Sequence, residues 1–504
     1  MASSREVPPK IPPNEREQLQ RLMQKTYIPG LSVAAISGGK ISWAESFGHA
    51  DEDTKKKVDD DSVFWACSLS KPIFAYLVYK LMKTGKLDKV NKDTNEIEEK
   101  FDLENTKLST ILDDPRFEGD ERRKKITAAM ILSHQSGLVN EAEAGIGNGH
   151  LKFETDPGTG FKYSGEGLYY LQKVIEKITG KELHDLAKEE LFIPFGLGDK
   201  TKTTFKLPEN HSAVHNHGTI GDSRADFPVT SLNNSNAAGS LHTTALDYAR
   251  ILIGIMQDKE FMKLITPRVD MKTDKDAKKN GVEDATLQTI SWDWGWGLQR
   301  SNSNSDYQYS LAFHWGDGPG SKAFVALDPN SESAIVYFAN GENGLTIAPD
   351  VAAMANIPSI KPTTDFLFKK YNIRDNNSDG FEERLQAQLA ESTGNYIEAI
   401  KLYKKALALE HNSTDEITNK RIKWLEPLAM KYELPHEKLK EYTGKYGAVN
   451  ITAIGSQLQV ETPGGKYDLI PIGENRFAPK NDLTFQLEFN KEKNQVTSHF
   501  LNWP

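Results

Sequence analysis

Ser68 and Lys71 stand three residues apart in Phe64-Trp65-Ala66-Cys67-Ser68-Leu69-Ser70-Lys71-Pro72, an S-x-x-K spacing. A serine hydroxyl is a weak nucleophile until a neighbouring group takes its proton. Side chains at i and i+3 of a helix share a face, so a helix opening at Ser68 puts the Lys71 amine within reach of that hydroxyl. The following residues supply such a helix: Phe74, Leu77, Val78 and Leu81 fall on one face, and Gly85 ends the run. A helix start also offers free N–H groups and a partial positive charge to a carbonyl under attack. The same four residues would equally suit an ordinary helix start, with Ser68 as cap and Lys71 in solvent. The chemistry therefore depends on what accompanies them.

The elements around this pair read as one large α/β unit. Asn14 to Lys25 has helical patterning, and Leu31–Ile36 and Lys40–Phe47 are β-prone runs about the turn Ser37-Gly38-Gly39. A second pair, Ala323–Leu327 and Ala334–Ala339, flanks Asp328-Pro329-Asn330-Ser331. Strands at both ends of a helical segment predict an antiparallel sheet, flanked by helices, that distant parts of the chain close together. Thr363–Gly380 is polar and turn-rich and reads as a linker. From about Phe381 to Leu409 the period becomes helical, in a helix–Gly394-Asn395–helix arrangement like one tetratricopeptide unit. A lone unit of that kind leaves apolar surface uncovered, so it is expected to pack on a neighbour. Gln457–Glu461, Lys466–Ile470 and Thr484–Asn490 alternate apolar and polar residues, the mark of a small antiparallel β-domain. Three parts are expected: 1–362, 363–434 and 435–504.

Five segments in order give the pair its context: Ile28-Pro29-Gly30-Leu31-Ser32-Val33-Ala34, Ser68 to Pro72, Ile131-Leu132-Ser133-His134-Gln135-Ser136-Gly137-Leu138, Pro157 to Ser164, and His314-Trp315-Gly316. Together they resemble the serine β-lactamase-like, penicillin-binding-protein-like superfamily, nearest its branch of class C β-lactamases, D-alanyl-D-alanine carboxypeptidases and esterases. The resemblance spans roughly residues 15–345 and implies the β-lactamase/transpeptidase-like fold, in which a helical subdomain accompanies the sheet. It makes Ser68 the acylated nucleophile, Lys71 its proton acceptor and Tyr163 the tyrosine of the Y-x-N element. His314, Trp315 and Gly316 then match the strand motif that is K-T-G or H-x-G in relatives. The N–H groups of Ser68 and Asp317 become the oxyanion hole, and Asn236 becomes a substrate contact. Two departures stand out. Gly165 occupies the asparagine position of Y-x-N, and His314 replaces a permanently charged lysine. Both favour an esterase or D-amino-acid-type peptidase over an efficient β-lactamase. They also sustain a non-catalytic alternative, a recognition or adaptor protein using the C-terminal parts, with a protein partner at the helical segment.

Other features carry less. His211, His215 and His217 lack the companion Cys or carboxylates of a zinc site, and acylation of serine calls for no metal or cofactor. Asp375 to Gly380 imitates a calcium loop, but Gln386 stands where a bidentate Glu is required. Cys67 reads as a buried small residue, and the single cysteine excludes an internal disulfide. Trp292, Trp294 and Trp296 suit either pocket lining or strand core. His134 is expected to order its loop. The formal net charge of -9 argues against nucleic acid and leaves a small-molecule or peptide substrate. No apolar run is long enough to span a membrane. The N-terminus shows no signal-peptide pattern, which is compatible with a periplasmic or secreted protein after processing, or otherwise with a cytoplasmic one.

Overall fold

The computed structural model describes residues 8–500 apart from 92–93, 95, 143–144, 198–200, 208–212, 218–234, 302–305, 358, 372, 374, 411–414, 431, 447–448, 456, 463–464, 480–484 and 491–494. His211 lies outside the described residues. The chain divides into two compact units, Met1–Arg374 and Asp375–Pro504.

The first unit is built on an antiparallel sheet. Its main strands are β1 (Gly30–Ser37), β2 (Lys40–Asp51), β3 (Ile290–Asp293), β4 (Trp296–Arg300), β5 (Tyr309–Gly318), β6 (Ser321–Asp328) and β7 (Ser333–Ala339). In space they run β2-β1-β7-β6-β5-β4-β3, with two-residue strands Lys56–Lys57 and Val269–Asp270 at the edges. The two hairpins read from the sequence thus meet along β1 and β7, where Leu31 faces Ala339 and Ile36 faces Ala334. Both central strands are apolar at successive positions because both sheet faces are covered. Leu31, Val33, Ile335 and Tyr337 point into one core and Ala34, Ile36, Val336 and Phe338 into the other. This is the two-residue alternation that a pleated strand imposes.

One face carries α1 (Ser70–Lys83), α2 (Gly165–Thr179) and α3 (Ala245–Gln257), named here in chain order. Residues Ser70–Val78 of α1 are all buried, so this helix is enclosed on every side. The other face receives the N-terminal helix Pro13–Lys25 and α4 (Lys361–Lys370). That last helix corrects the reading of Thr363–Gly380 as linker: Phe366 and Leu367 are fully buried and Lys370 is 7% exposed. Two large apolar side chains, each worth about 1.5–3 kcal/mol on burial, outweigh the polar residues around them.

In the second unit Phe381–Ser392, Tyr396–Leu409 and Glu416–Ala429 form three helices. Seven antiparallel strands between Gly444 and Phe500 follow in sequence order. Ala399, Tyr403, Ile422 and Leu425 share a core with Ile472 and Ala478 of that sheet, so the helices do pack on a neighbour.

Candidate active site

The turn carrying Ser68 is built before α1 begins. Cys67–Leu69 forms one 3-10 turn, and the α-helix proper starts at Ser70, two residues later than the sequence suggested. Cys67 holds a left-handed φ of 49°, a conformation a side-chain-bearing residue adopts only when its surroundings impose it. Those surroundings are visible. Ser70 Oγ donates to Cys67 O at 2.6 Å and accepts from Leu241 N at 2.9 Å. Ala66 N donates to Leu241 O, and the Cys67 thiol is enclosed near Trp65 O and Ser321 O. Burial pushes that thiol's pKa up, so it stays protonated and inert. Cys67 is the buried small residue expected.

Ser68 and Lys71 meet as the i, i+3 spacing requires: Lys71 Nζ lies 2.8 Å from Ser68 Oγ. The amine also donates to Ala238 O at 2.6 Å. Lys71 is 2% exposed and, among the described residues, has no carboxylate against it, so desolvation of the ammonium pulls its pKa down to about 7. Ala238 O holds the amine through an N–H, beside Ser68 Oγ. Ala238 O is itself fixed, because Asn236 Oδ1 accepts from both Ala238 N and Gly239 N at 2.9 and 2.8 Å. Asn236 therefore shapes the turn behind the amine with the oxygen that a substrate contact would use.

Tyr163 closes the group. Its ring centre lies 4.8 Å from Lys71 Nζ, and Ser68 is close enough to act on its hydroxyl. Burial, with smaller contributions from Asp317 and Cys67, raises its pKa and outweighs the lowering by Ser68, so the resting group is a phenol. His134 stacks on it with centroids 4.3 Å apart and accepts from Ser164 N at Nδ1, 3.1 Å away. Its loop-ordering role is visible in that bond. The next residue explains the first departure from Y-x-N. A Cβ at Gly165 would sit 2.9 Å from Asn140 O and 3.0 Å from Ile146 Cδ1. The space a side-chain amide would need is filled.

His314 accounts for the second departure. Its Nδ1 is 2.7 Å from Trp315 O, and since a carbonyl only accepts, the proton resides on Nδ1. Burial and the nearby Lys71 push its pKa down to about 3, so the ring is neutral. The lysine charge of relatives is therefore absent at this position. Trp315, on the opposite strand face, packs at a tilt against Tyr371, 5.0 Å away, and stacks 6.2 Å from Tyr163. Trp292 lies 5.4 Å from both His134 and His314, at the back of the site, whereas Trp294 packs with Tyr79 and Phe261 in the core.

The strand approaches the turn carrying Ser68 backbone to backbone. Pairing of β4 with β5 ends at Gly297 and Phe313, so His314–Asp317 run past their neighbour. A Cβ on Gly316 would lie 2.6 Å from Ala66 O and 3.1 Å from Cys67 Cβ, which is why glycine stands there. Asp317 follows at the edge, its side chain 37% exposed and 2.8 Å from Lys322 Nζ. Ala238, Lys322 and Glu342 were not singled out from sequence. Ala238 acts through its carbonyl, which any residue carries, and the two charged residues sit in segments that look like solvent-facing edges.

His215 and His217 lie apart from this constellation. His215 is 3.7 Å from Asp51, and His217 Nε2 accepts from Glu52 N. Among the described residues, no group of three or more His, Cys, Asp or Glu is arranged to hold a metal ion.

Comparison with known proteins gives the family and the fold. The chain is 24% identical over 250 residues to penicillin-binding protein 4 of Amycolatopsis lactamdurans, covering 47% of this chain and 59% of that protein. It is 25% identical over 238 residues to penicillin-binding protein 4* of Bacillus subtilis, covering 43% of this chain and 48% of the relative. Matches therefore span about half the length of these relatives. A class C beta-lactamase mutant of known structure superposes with a TM-score of 0.50 at 19% identity, over 71% of this chain and 96% of that one, a likeness of fold. The beta-lactamase family model matches residues 16–354, about two thirds of the sequence. With Ser68, Lys71 and Tyr163 gathered in that span, the chain belongs to the beta-lactamase family, within the serine β-lactamase and penicillin-binding-protein-like superfamily.

Proposed function

We propose that the protein is a serine hydrolase that cleaves an ester or amide through an acyl-enzyme on Ser68, with neutral esters and amides preferred over β-lactams. The observation that carries this reading is the buried Lys71 amine, 2.8 Å from Ser68 Oγ and with its pKa drawn down to about 7. A base of that strength is half unprotonated near neutrality, the condition for efficient general-base catalysis.

The steps follow from the groups available. Lys71 Nζ takes the Ser68 proton as Oγ bonds to the substrate carbonyl carbon. The resulting oxyanion sits between the N–H groups of Ser68 and Asp317. Tyr163, a phenol at rest, gives its proton to the departing oxygen or nitrogen as the carbonyl re-forms, and the Lys71 ammonium restores the phenol. Water repeats the sequence to release the acid and free Ser68. The substrate preference rests on charge. His314 is neutral, Trp315 is 3% exposed with its ring against Tyr371, and the Gly165 position has no room for an amide. A substrate carboxylate thus finds neither the cation nor the side-chain amide that serves it in relatives.

Steady-state turnover of a p-nitrophenyl ester, a D-Ala-D-Ala peptide and a chromogenic cephalosporin tests both parts. The ester should be turned over fastest and the cephalosporin slowest, and Ser68→Ala should abolish all three. Undiminished ester hydrolysis by Ser68→Ala would refute the assignment. A cephalosporin rate above the ester rate would refute the preference.

A further inference from the structure

Lys322 is a buried cation on a strand whose eight residues are all buried, opposite Asp317 in the β5–β6 register. Its three N–H bonds are all used. Nζ lies 2.8 Å from Asp317 Oδ1, 2.5 Å from Glu342 Oε2 and 2.9 Å from Gly318 O. Glu342 turns its other oxygen to Gly320 N, inside the turn joining the two strands. The lysine stem is packed as well, since a Cβ on Gly344 would come within 2.7 Å of Lys322 Cβ. Burying an ammonium is costly and is retained where compensating groups are arranged around it. A hairpin brace alone does not call for a charge there.

The position of Asp317 supplies the reason. Asp317 is the residue whose main-chain N–H completes the oxyanion hole in the reading above, on which this inference rests. Its own carboxylate is therefore tied to the donor that must stabilise developing negative charge. An uncompensated carboxylate so close would oppose that charge, most strongly in the desolvated transition state. The Asp317 charge is felt at Tyr163 and at Cys67, and the Lys322 charge is felt at Cys67, immediately before the nucleophile. With His314 neutral and Lys71 serving as the base, Lys322 supplies a permanent cation at this edge of the site.

We propose that Lys322 is a positioning residue for the oxyanion hole: it neutralises the Asp317 carboxylate and, with Glu342, pins the β5–β6 turn so that the Asp317 N–H faces the reacting carbonyl oxygen.

The test is a kinetic cycle on the full chain with a neutral p-nitrophenyl ester, covering wild type, Lys322→Met, Asp317→Asn and the double variant, with Ser68→Ala alongside. Lys322→Met should lower kcat by about tenfold to a hundredfold, less than the roughly 10²–10³ that outright loss of one oxyanion donor costs because the N–H is still present, with KM changed by less than about threefold. Adding Asp317→Asn to Lys322→Met should restore kcat by about tenfold, because it removes the opposing charge and keeps the N–H. Asp317→Asn alone should raise kcat by about twofold or more, and this arm holds even if Lys322→Met does not fold. A purely structural brace would show no such rescue, and its loss would follow the folded fraction measured by circular dichroism. Wild-type kcat in Lys322→Met, no recovery in the double variant, or a fall in kcat for Asp317→Asn would overturn the inference. Undiminished hydrolysis by Ser68→Ala would instead overturn the underlying reading.

Discussion

At Lys71, removal from water takes the place of a neighbouring cation in freeing the amine's lone pair. Desolvation lowers its pKa from 10.5 to about 7, so kcat/KM for a neutral ester should rise with pH through about 7, falling roughly tenfold per unit below it. A flat profile between pH 5 and 8 would show that another group takes the proton. Folding is linked to the same shift. Between pH 7 and 10.5 the folded state binds fewer protons at this site than the unfolded state, so stability increases with pH across that window. Below it the cost of the buried ammonium is fully felt. Lys71→Met should therefore raise the thermal midpoint more at pH 6 than at pH 9, while abolishing turnover. An equal or reversed effect at the two pH values would contradict a desolvated lysine. Ser68, Lys71 and Tyr163 were legible in the sequence because each carries its chemistry in its side chain at a recognisable spacing. Lys322 was not, since a lysine in a strand is ordinarily a solvent-facing residue and its two carboxylate partners come from separate segments.

At the level of elements, two close backbone approaches set the site's dimensions. Gly295, at φ 72° in the β3–β4 turn, would carry a Cβ only 3.0 Å from Lys71 O. Gly316 presses β5 against Ala66 and Cys67. Displacing a reacting group by about 1 Å costs on the order of 10²-fold in rate. Gly316→Ala should therefore reduce kcat by about that factor while the protein stays folded, since the obstruction lies at the nucleophile turn. Circular dichroism and kcat measured together check this, and wild-type kcat would mean that the turn yields without consequence. Strands and hairpins here were readable from the sequence because two-residue alternation and turn residues announce them locally. The helix Lys361–Lys370 was not, because its polar Thr363, Thr364 and Lys369 and the Asp/Asn-rich segment after it outweighed the two residues, Phe366 and Leu367, that decide its burial.

For the whole molecule, the division near Arg374 shows where the first unit can be cut. Residues 1–374 retain the helix carrying Phe366, Leu367 and Lys370, whose Nζ pairs with Asp274 inside this unit. A chain ending at 374 should fold and keep its turnover of a small activated ester. One ending at 360 loses two buried apolar anchors, each worth about 2–5 kcal/mol on truncation, and should unfold or aggregate. Solubility and ester turnover of the two fragments distinguish these outcomes, and an active 1–360 fragment would mean that the helix is dispensable. The sequence showed that distant hairpins close one sheet. It could not show which polar segment belongs to which unit, because that depends on tertiary burial at only a few positions.

The central claim is acylation at one oxygen atom. Incubating the protein with a slowly deacylating activated ester, quenching in acid and mapping the adduct by peptide mass spectrometry tests it directly. A single acyl group on the peptide containing Ser68, absent from Ser68→Ala, is the result expected. An acyl group on Cys67 or Tyr163, or hydrolysis without any adduct and unaffected by Ser68→Ala, would contradict the account.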